Sequence, residues 1–181
     1  MNYFAIQVKT REEAKFISLA KGMNPTLPLD IVFPRRLLTI RRRKQTKQVE
    51  APLFPGYIFL QAPSDLDPSY YWALKRVPGF FRFLKNNTQI QPLEGKDLEL
   101  LLHFLNYGEI VHKSRAVLDE NKRIVILEGP LKGLEGRIVR VDRRKKRVKV
   151  KLELQEERFL VDLGALRDQA PREGDRGYPR C

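Results

Sequence analysis

The segment from Lys122 to Leu152, KRIVILEGPLKGLEGRIVRVDRRKKRVKVKL, constrains the fold more than any other part of the chain. It holds three short runs that are rich in β-branched residues: Ile124 to Leu127, Ile138 to Val141 and Val148 to Leu152. Glycines and one proline separate the first two runs, and the basic turn Arg143 to Arg147 separates the last two. Such runs favour strands over helices, and the turns are short. The segment therefore predicts a small β-barrel.

This segment resembles a KOW motif, the barrel that ends NusG-type transcription elongation factors. Ribosomal proteins also carry KOW barrels, so the earlier part of the chain has to decide between the two. Three further segments resemble parts of a NusG N-terminal domain, in the same order: YFAIQVKTR (3–11), EAPLFPGYIFLQ with its FPGY signature (50–61) and YWALKRVPGFFRF (71–83). The chain thus resembles the NusG family over most of residues 1–165. The resemblance implies an α+β N-terminal domain, an antiparallel sheet with flanking helices, followed by a small all-β KOW barrel.

Periodicity and turn residues divide the chain in a similar way. Apolar residues at helical spacing predict helices over 12–22, 68–76 and 96–105, and residues 43–48 read as a polar loop. We predict four regions: a NusG-type N-terminal domain over 1–107, a linker over 108–121, a KOW barrel over 122–167 and a disordered tail over 168–181. As a flexible chain, the linker would hold the two domains about 20 Å apart.

Charge is the strongest compositional signal. The 181 residues include 35 Lys and Arg against 22 Asp and Glu, a formal net charge of +13. An excess of this size predicts a polyanionic partner, although a surface charged only for solubility is the alternative. The chain has no apolar run of membrane-spanning length and no signal-peptide pattern at its start. We therefore expect a monomeric cytoplasmic protein with no membrane partner.

Catalytic and metal-binding patterns have little support in the sequence. Cys181 is the one cysteine, and neither His103 nor His112 has a second metal ligand at the i+4 position. There is no P-loop and no nucleophile elbow. We predict that the protein is not an enzyme and uses no cofactor or metal.

The strand that follows the FPGY signature carries the first candidate site. Alternation sends Tyr57 and Phe59 to one face of the sheet and Ile58 and Leu60 to the other, so both faces are apolar. The residues alone favour burial of both faces inside the protein. The resemblance implies instead that one face grips the clamp helices of the largest RNA polymerase subunit. The polymerase-binding residues that the resemblance implies are Phe33, Phe54, Tyr57, Phe59 and Phe83.

Basic residues form the second candidate site, in three groups. The first lies on a hairpin-like connection and suits phosphate contacts, although a solvated loop tip fits it equally well. The resemblance places the second near the exposed non-template DNA strand, and the third is the basic turn of the barrel. The groups are Arg35, Arg36, Arg41, Arg42, Arg43, Lys44 and Lys47; then Lys9, Arg11, Lys75 and Arg76; then Arg143, Arg144, Lys145, Lys146 and Arg147.

The resemblance implies a transcription elongation factor or antiterminator that binds the polymerase clamp helices and suppresses pausing and termination. The basic chain and its C-terminal segment most resemble the LoaP type, operon-specific antiterminators associated with an RNA hairpin in the nascent leader. The ribosomal protein NusE is a further partner that the family implies for the barrel. Two alternatives stay open: a general housekeeping NusG, and a KOW-containing ribosomal or RNA-binding module that does not act on polymerase.

Overall fold

The structure, a computed structural model, describes residues 1–42, 45–62, 66–84, 90–121, 123–154 and 157–167. The predicted disordered tail lies outside the described residues. The helices are α1 (Glu13–Met23), α2 (Pro68–Lys75) and α3 (Gly95–Leu105). The strands are β1 (Asn2–Val8), β2 (Asp30–Val32), β3 (Arg35–Arg42), β4 (Gln45–Pro52), β5 (Tyr57–Ala62), β6 (Phe80–Phe83), β7 (Ile110–Val111), β8 (Ser114–Leu118), β9 (Ile124–Glu128), β10 (Ile138–Asp142), β11 (Arg147–Leu154) and β12 (Glu157–Arg167).

A four-stranded antiparallel sheet in the order β2-β5-β1-β6 forms the centre of the N-terminal part. Alternation along β5 buries apolar side chains on both faces, as the sequence indicates. Ile58 and Leu60 share one cluster with Phe16 of α1 and Leu74 of α2. The opposite face belongs to a second cluster, to which α3 contributes Leu100, Leu101 and Phe104. Both faces of the sheet are therefore covered. Helices α1 and α2 cover the face of Ile58 and Leu60, and α3 lies against the opposite face.

The turn before β5 shows why the FPGY signature contains a glycine. Gly56 has a φ of +83°, and a Cβ built there would lie 2.9 Å from Oγ1 of Thr10. Its amide donates a 2.8 Å hydrogen bond to the buried carboxylate of Glu13 at the start of α1. Any side chain would be both strained and crowded at this position. The signature thus joins β5 to α1 and orients the central strand.

Strands β3 and β4 form a long antiparallel hairpin, in which Arg42 pairs with Gln45. The prediction of a polar loop over 43–48 is wrong for residues 45–48, which belong to β4. The cause is physical: β4 is exposed and polar over its first residues, so no apolar alternation marks it. Arg43 and Lys44 lie outside the described residues. Of the basic run, Arg41 and Arg42 therefore lie at the end of β3 in this hairpin.

The C-terminal strands form a curled five-stranded sheet in the order β10-β11-β12-β8-β9. Val148, Val150, Leu152 and Leu154 alternate into its interior along β11, which fits the predicted period of two. Gly129 has a φ of +97°, and a Cβ there would lie 2.8 Å from the Cα of Ser114. The glycine after β9 thus allows the chain to pass close to β8. The predicted fold class, an α+β domain followed by a small β-barrel, is confirmed.

The region predicted as a flexible linker is structured, which differs from the expectation of a loose tether. It contains β7, which pairs in parallel with β3, and β8, which pairs in parallel with β12. Only His112 and Lys113 lie between these two strands. Strands of two and five residues show too little periodicity to be recognised, because backbone pairing rather than side-chain pattern holds them. The boundaries over 1–107 and 122–167 stay predictions.

Candidate functional site

The predicted polymerase-binding rings of the FPGY segment lie together, but they are buried. Phe54, Tyr57 and Phe59 are each no more than 3% exposed. The ring of Phe54 makes edge contacts with Phe59 at 5.5 Å and with Phe104 of α3 at 6.3 Å, measured between centroids. Such edge-to-face packing is a favourable arrangement for aromatic rings. This apolar face is therefore a packed interior surface in the conformation described.

The barrel completes the cover of this face through one aromatic residue. Phe159 of β12 lies 5.7 Å from the Phe54 ring and 5.4 Å from the Tyr57 ring, both close to perpendicular. No motif in the sequence marks the role of Phe159, which follows the charged residues of a strand end. Its place in an alternating strand next to exposed Leu160 was the available signal. Phe159 therefore separates the FPGY face from solvent.

A polar pair borders the same contact. Arg82 of β6 and Glu157 of β12 form an ion pair with a nitrogen to oxygen distance of 3.7 Å. The hydroxyl of Tyr57 is buried beside Arg82 and makes no hydrogen bond of good geometry within the described part of the chain. Burial raises the pKa of Tyr57, the nearby Glu157 carboxylate raises it further, and Arg82 opposes both. The Tyr57 hydroxyl thus lies at the junction between sheet and barrel without a well-placed hydrogen-bond partner.

Phe83 and Phe33 do not share a surface with Tyr57 and Phe59. Phe83 pairs with Ile6 across β1 and lies in the other cluster, with its ring 5.8 Å from Phe80. Phe33 packs against that same cluster and carries the Arg35 guanidinium 6.0 Å above its ring. The prediction of one patch that joins Phe83 with the FPGY rings is wrong, because strand alternation directs it to the opposite face.

Three of the predicted nucleic-acid contacts point inward. Arg35 pairs with Glu50 at 2.6 Å and with Glu109 at 3.8 Å. Arg36 donates to the carbonyl of Pro52, and Arg147 donates from the barrel to the carbonyl of Thr39. These side chains are committed to protein groups. They link the hairpin to its neighbours and are poorly placed for phosphate.

Burial lowers the pKa of the Arg36 guanidinium, the Asp162 carboxylate opposes that shift, and Arg147 adds to it. Asp162 lies 4.0 Å from Arg147. Two arginines therefore approach each other under the hairpin with one carboxylate beside them. The like charges of the two arginines carry an electrostatic cost at this contact, which the Asp162 carboxylate and the two carbonyl hydrogen bonds offset in part.

Two cations of the hairpin and four of the barrel turn face solvent. Arg41 and Lys47 are exposed on β3 and β4, and the tight turn after β10 exposes its four basic residues. Asp142 shapes that turn, because its side chain accepts a 2.9 Å hydrogen bond from the amide of Lys145. This bond, more than the charge of Lys145, lowers the pKa of Asp142. The exposed turn residues are Arg143, Arg144, Lys145 and Lys146.

The second basic set gathers around the turn between α2 and β6. The amide of Lys9 donates a 2.8 Å hydrogen bond to the carbonyl of Gly79, which brings the end of β1 to this turn. Lys75 and Arg76 are exposed at the end of α2. Lys9 pairs with Glu12 at 2.5 Å. The structure therefore brings Lys9, Lys75 and Arg76 to one side of the sheet, away from the barrel contact.

An open groove lies between the start of α1 and the base of the hairpin, with a volume of about 670 Å³. Arg11 and Arg35 line it together with Phe33. Arg11 has a φ of 71°, in the left-handed region that side chains rarely adopt. The groove thus joins one residue predicted for polymerase and two predicted for nucleic acid, although Arg35 already has two carboxylate partners.

Within the described residues, no group of three or more His, Cys, Asp or Glu side chains is arranged to hold a metal ion. No helix among them is both long and apolar enough to cross a bilayer.

Known proteins match both parts of the chain. A family model described as "Transcription termination factor nusG" matches residues 1–102, and a model described as "KOW motif" matches residues 120–151. The first match alone covers more than half of the 181 residues. The chain belongs to the NusG family. Its relatives are named as transcription termination/antitermination proteins, and the chain is a transcription factor of that family.

The NusG relatives are distant in sequence. The transcription termination/antitermination protein NusG of Helicobacter pylori strain J99 is 22% identical over 126 residues, which cover 69% of this chain and 70% of the relative. The NusG of Streptococcus pyogenes serotype M3 is 23% identical over 120 residues, 65% of each chain. A solved structure titled "Domain interaction in Thermotoga maritima NusG" aligns with a TM-score of 0.54 and 20% identity, covering 90% of this chain and 93% of that one. This likeness supports the fold.

Proposed function

We propose that the protein is a NusG-type elongation factor that binds the clamp helices of RNA polymerase and suppresses pausing and termination. The observation that carries the proposal is the FPGY face, where Phe54, Tyr57 and Phe59 form one aromatic surface on a central strand. A surface of desolvated aromatic rings is typical of the anchors that dominate protein interfaces. The cytoplasm, where transcription occurs in bacteria, is the proposed location.

Binding at this face requires the barrel to move. Phe159 covers Phe54 and Tyr57, so a clamp helix cannot reach them while the two parts are in contact. The polar elements of the contact favour a reversible association: an ion pair between half-exposed groups, an unpaired phenol and two neighbouring arginines. We propose that the closed form is a resting state and that polymerase binds an open form.

We further propose an operon-specific role of the LoaP type, in which a nascent RNA hairpin recruits the factor. The exposed cations of the β3–β4 hairpin and of the barrel turn support this proposal, because the hydrogen bond from Arg147 to the Thr39 carbonyl brings the turn next to the hairpin. Phosphate contacts of this kind position a nucleic acid, and a widened RNA groove at a bulge adds specificity. The barrel, freed by opening, would be available to NusE.

Transcription by purified polymerase on paired templates tests the proposal. One template carries a leader with a stable RNA hairpin before a terminator, and its partner carries the same leader with the hairpin scrambled. We expect the protein to increase readthrough on the first template and to have little effect on the second. Equal readthrough on both templates would favour a general NusG. No effect on pausing or termination on either template, together with binding to ribosomes, would favour the ribosomal or RNA-binding alternative.

Charge reversal on the hairpin supplies the matched variant for the same assay. Changing Arg41 and Lys47 to Glu removes exposed cations and leaves the half-buried Arg35 and Arg36 with their protein partners. We expect the readthrough that depends on the RNA hairpin to be lost. The salt dependence of leader RNA binding should flatten by roughly 0.7 to 0.9 of a log unit for each phosphate contact removed. Reversing Lys21 on α1, an exposed lysine outside all three basic groups, is the control.

A further inference from the structure

Two strands flank the connection between the N-terminal part and the barrel, and the second of them is firmly held. Strand β8 pairs in parallel with β12 and antiparallel with β9, so both of its edges are occupied. Ser114 at its start is fully buried, and its hydroxyl oxygen accepts a 2.9 Å hydrogen bond from the amide of Leu131. Strand β8 is therefore an integral part of the barrel.

Strand β7, before the connection, is held by much less. It is two residues long and lies at the edge of the β4-β3-β7 sheet, with Ile110 opposite Arg35 and Val111 opposite Arg36. The amide of Arg35 donates a 2.7 Å hydrogen bond to the carbonyl of Glu109. The Glu109 carboxylate lies 3.8 Å from the Arg35 guanidinium but is half exposed, so solvent screens this attraction. Of the two strands, β7 is the one that separates more easily.

The connection itself leaves little freedom. Of its two residues, His112 is exposed, whereas Lys113 is half-buried against β12. A Cβ built on Gly164 would lie 2.5 Å from Cγ of Lys113, so this side chain crosses the barrel strand. An extended chain spans at most about 3.6 Å per residue, which limits the Cα atoms of Val111 and Ser114 to about 11 Å apart. While β7 stays on β3, the barrel stays beside the hairpin.

Opening of the FPGY face needs more room than this. A helix with its side chains is about 10 to 12 Å across, and a pair of clamp helices is wider. Phe159 would have to move from its contacts with Phe54 and Tyr57 by at least that distance. Release of β7 would free the chain as far as Gly108, just after α3. The reach from there to Ser114 is about 20 Å, which accommodates the partner.

We propose that β7 is a latch: it leaves β3 when the polymerase clamp helices bind, and it rejoins β3 when they leave. The latch is closed in the free protein because Val111 is 1% exposed and packs in the same cluster as Phe104 of α3. Burial of that side chain favours the paired state without requiring a strong backbone attachment. The inference rests on the closed and open forms of the proposed function and deepens them, because it names the segment that has to separate.

A disulfide across β3 and β7 tests the latch in the full-length protein. Arg35→Cys with Ile110→Cys places two thiols at directly opposite positions, where neighbouring strands lie about 4.8 Å apart, a separation that a disulfide can bridge. Val117→Cys with Val125→Cys is the matched control, since these residues are opposite each other in β8 and β9 within the barrel. Both pairs are made together with Cys181→Ser, which removes the natural thiol.

Binding of a purified fragment that contains the clamp helices is measured before and after reduction. We expect the oxidised latch pair to bind about tenfold or more weakly than its reduced form, because only the open form binds. The oxidised control pair should bind as its reduced form does. Comparing each variant with itself removes the effect of losing the Arg35 side chain.

Amide hydrogen exchange reports on the unaltered protein without any substitution. The Arg35 amide is protected by its bond to Glu109, and the Leu131 amide by its bond to Ser114 inside the barrel. A saturating amount of the clamp fragment should speed exchange at Arg35 by about tenfold or more and leave Leu131 unchanged.

Equal binding by the oxidised and reduced latch pair, or an Arg35 amide that stays protected in the complex, would overturn the latch. The barrel would then swing about His112 with β7 in place, and clamp binding would stand. Weaker binding by the oxidised control pair would overturn the latch as well, because the barrel itself would have to rearrange. If the unaltered protein does not bind the fragment at all, the proposed function fails and the latch fails with it.

Discussion

The two faces of the central sheet are equally apolar in sequence, but they are covered in different ways. Ile58 and Leu60 meet α1 and α2, which belong to the same N-terminal part. Tyr57 and Phe59 meet α3 and then the barrel, about one hundred residues further along the chain. The first cover is local and made of apolar side chains. The second has polar groups at its edge, which is consistent with the proposed opening of this face.

This difference explains why alternation alone could not identify a docking surface. Both faces of β5 are buried, so exposure does not distinguish them. What distinguishes them is the quality of the cover, seen in the unpaired hydroxyl of Tyr57 and in the two arginines beneath the hairpin. Buried groups without partners weaken a contact and so favour its reversal.

The largest effect is expected on the locally covered face. Phe16 of α1 is 2% exposed, and Phe16→Ala should lower the free energy of unfolding by about 3 to 5 kcal/mol, because it leaves a cavity beneath α1. Urea denaturation followed by Trp72 fluorescence measures this value. Phe159→Ala should cost roughly 1 to 2 kcal/mol, since that ring is only partly buried. Equal losses in the two variants would contradict the distinction between the faces.

The second effect is on polymerase binding. Phe159→Ser removes the ring that covers Tyr57 and Phe54, so the open form should become more populated. A partner that binds only the open form gains apparent affinity in proportion to that population. We expect about tenfold tighter binding to a purified fragment that contains the clamp helices.

Leu160→Ser is the control for this change, because Leu160 is adjacent in β12 but 62% exposed. It should bind the clamp fragment as the unaltered protein does. If Phe159→Ser and Leu160→Ser bind equally, the barrel does not restrict access to the FPGY face. A substitution of Phe59 itself is a poor test, since this fully buried ring supports the fold as well as the face.

Much of the fold could be predicted from sequence, because α1, α2, α3 and the barrel strands β9, β10 and β11 carry apolar periodicity. The polar start of β4 and the two-residue β7 could not, since exposed or very short strands are held by backbone pairing. The sequence identified the basic residues but could not distinguish those that face inward from those that face solvent. Arg35 and Arg147 look like Arg41 in sequence, and only their partners Glu50 and Thr39 show that they face inward. Phe159 could not be identified because its role depends on a contact between distant segments.

The third prediction concerns the ion pair at the edge of the barrel contact. Arg82 and Glu157 are 45% and 47% exposed, so solvent screens their attraction. Glu157→Gln should increase clamp-fragment affinity by no more than about fivefold, and the increase should fade at high salt. Glu153→Gln, which breaks a 2.8 Å pair with Lys151 inside the barrel, is the control and should not alter that affinity. A salt-independent increase would show that the pair acts by packing and not by charge.

The smallest effect is expected at the Tyr57 hydroxyl. Burial raises the pKa of Tyr57 above its ordinary value of 10.0, so the closed form holds the neutral phenol while the open form releases its proton more easily. The closed form should therefore keep its full stability below pH 10.0 and lose stability as the pH rises through that value.

Tyr57→Phe removes this dependence and an unpaired hydroxyl, so it should leave the closed form as stable or more stable by up to about 1 kcal/mol. Clamp-fragment affinity measured between about pH 8 and about pH 11 checks this: it should rise for the unaltered protein more than for Tyr57→Phe. Identical pH profiles would mean that the phenol titrates in the same environment whether or not the barrel covers it.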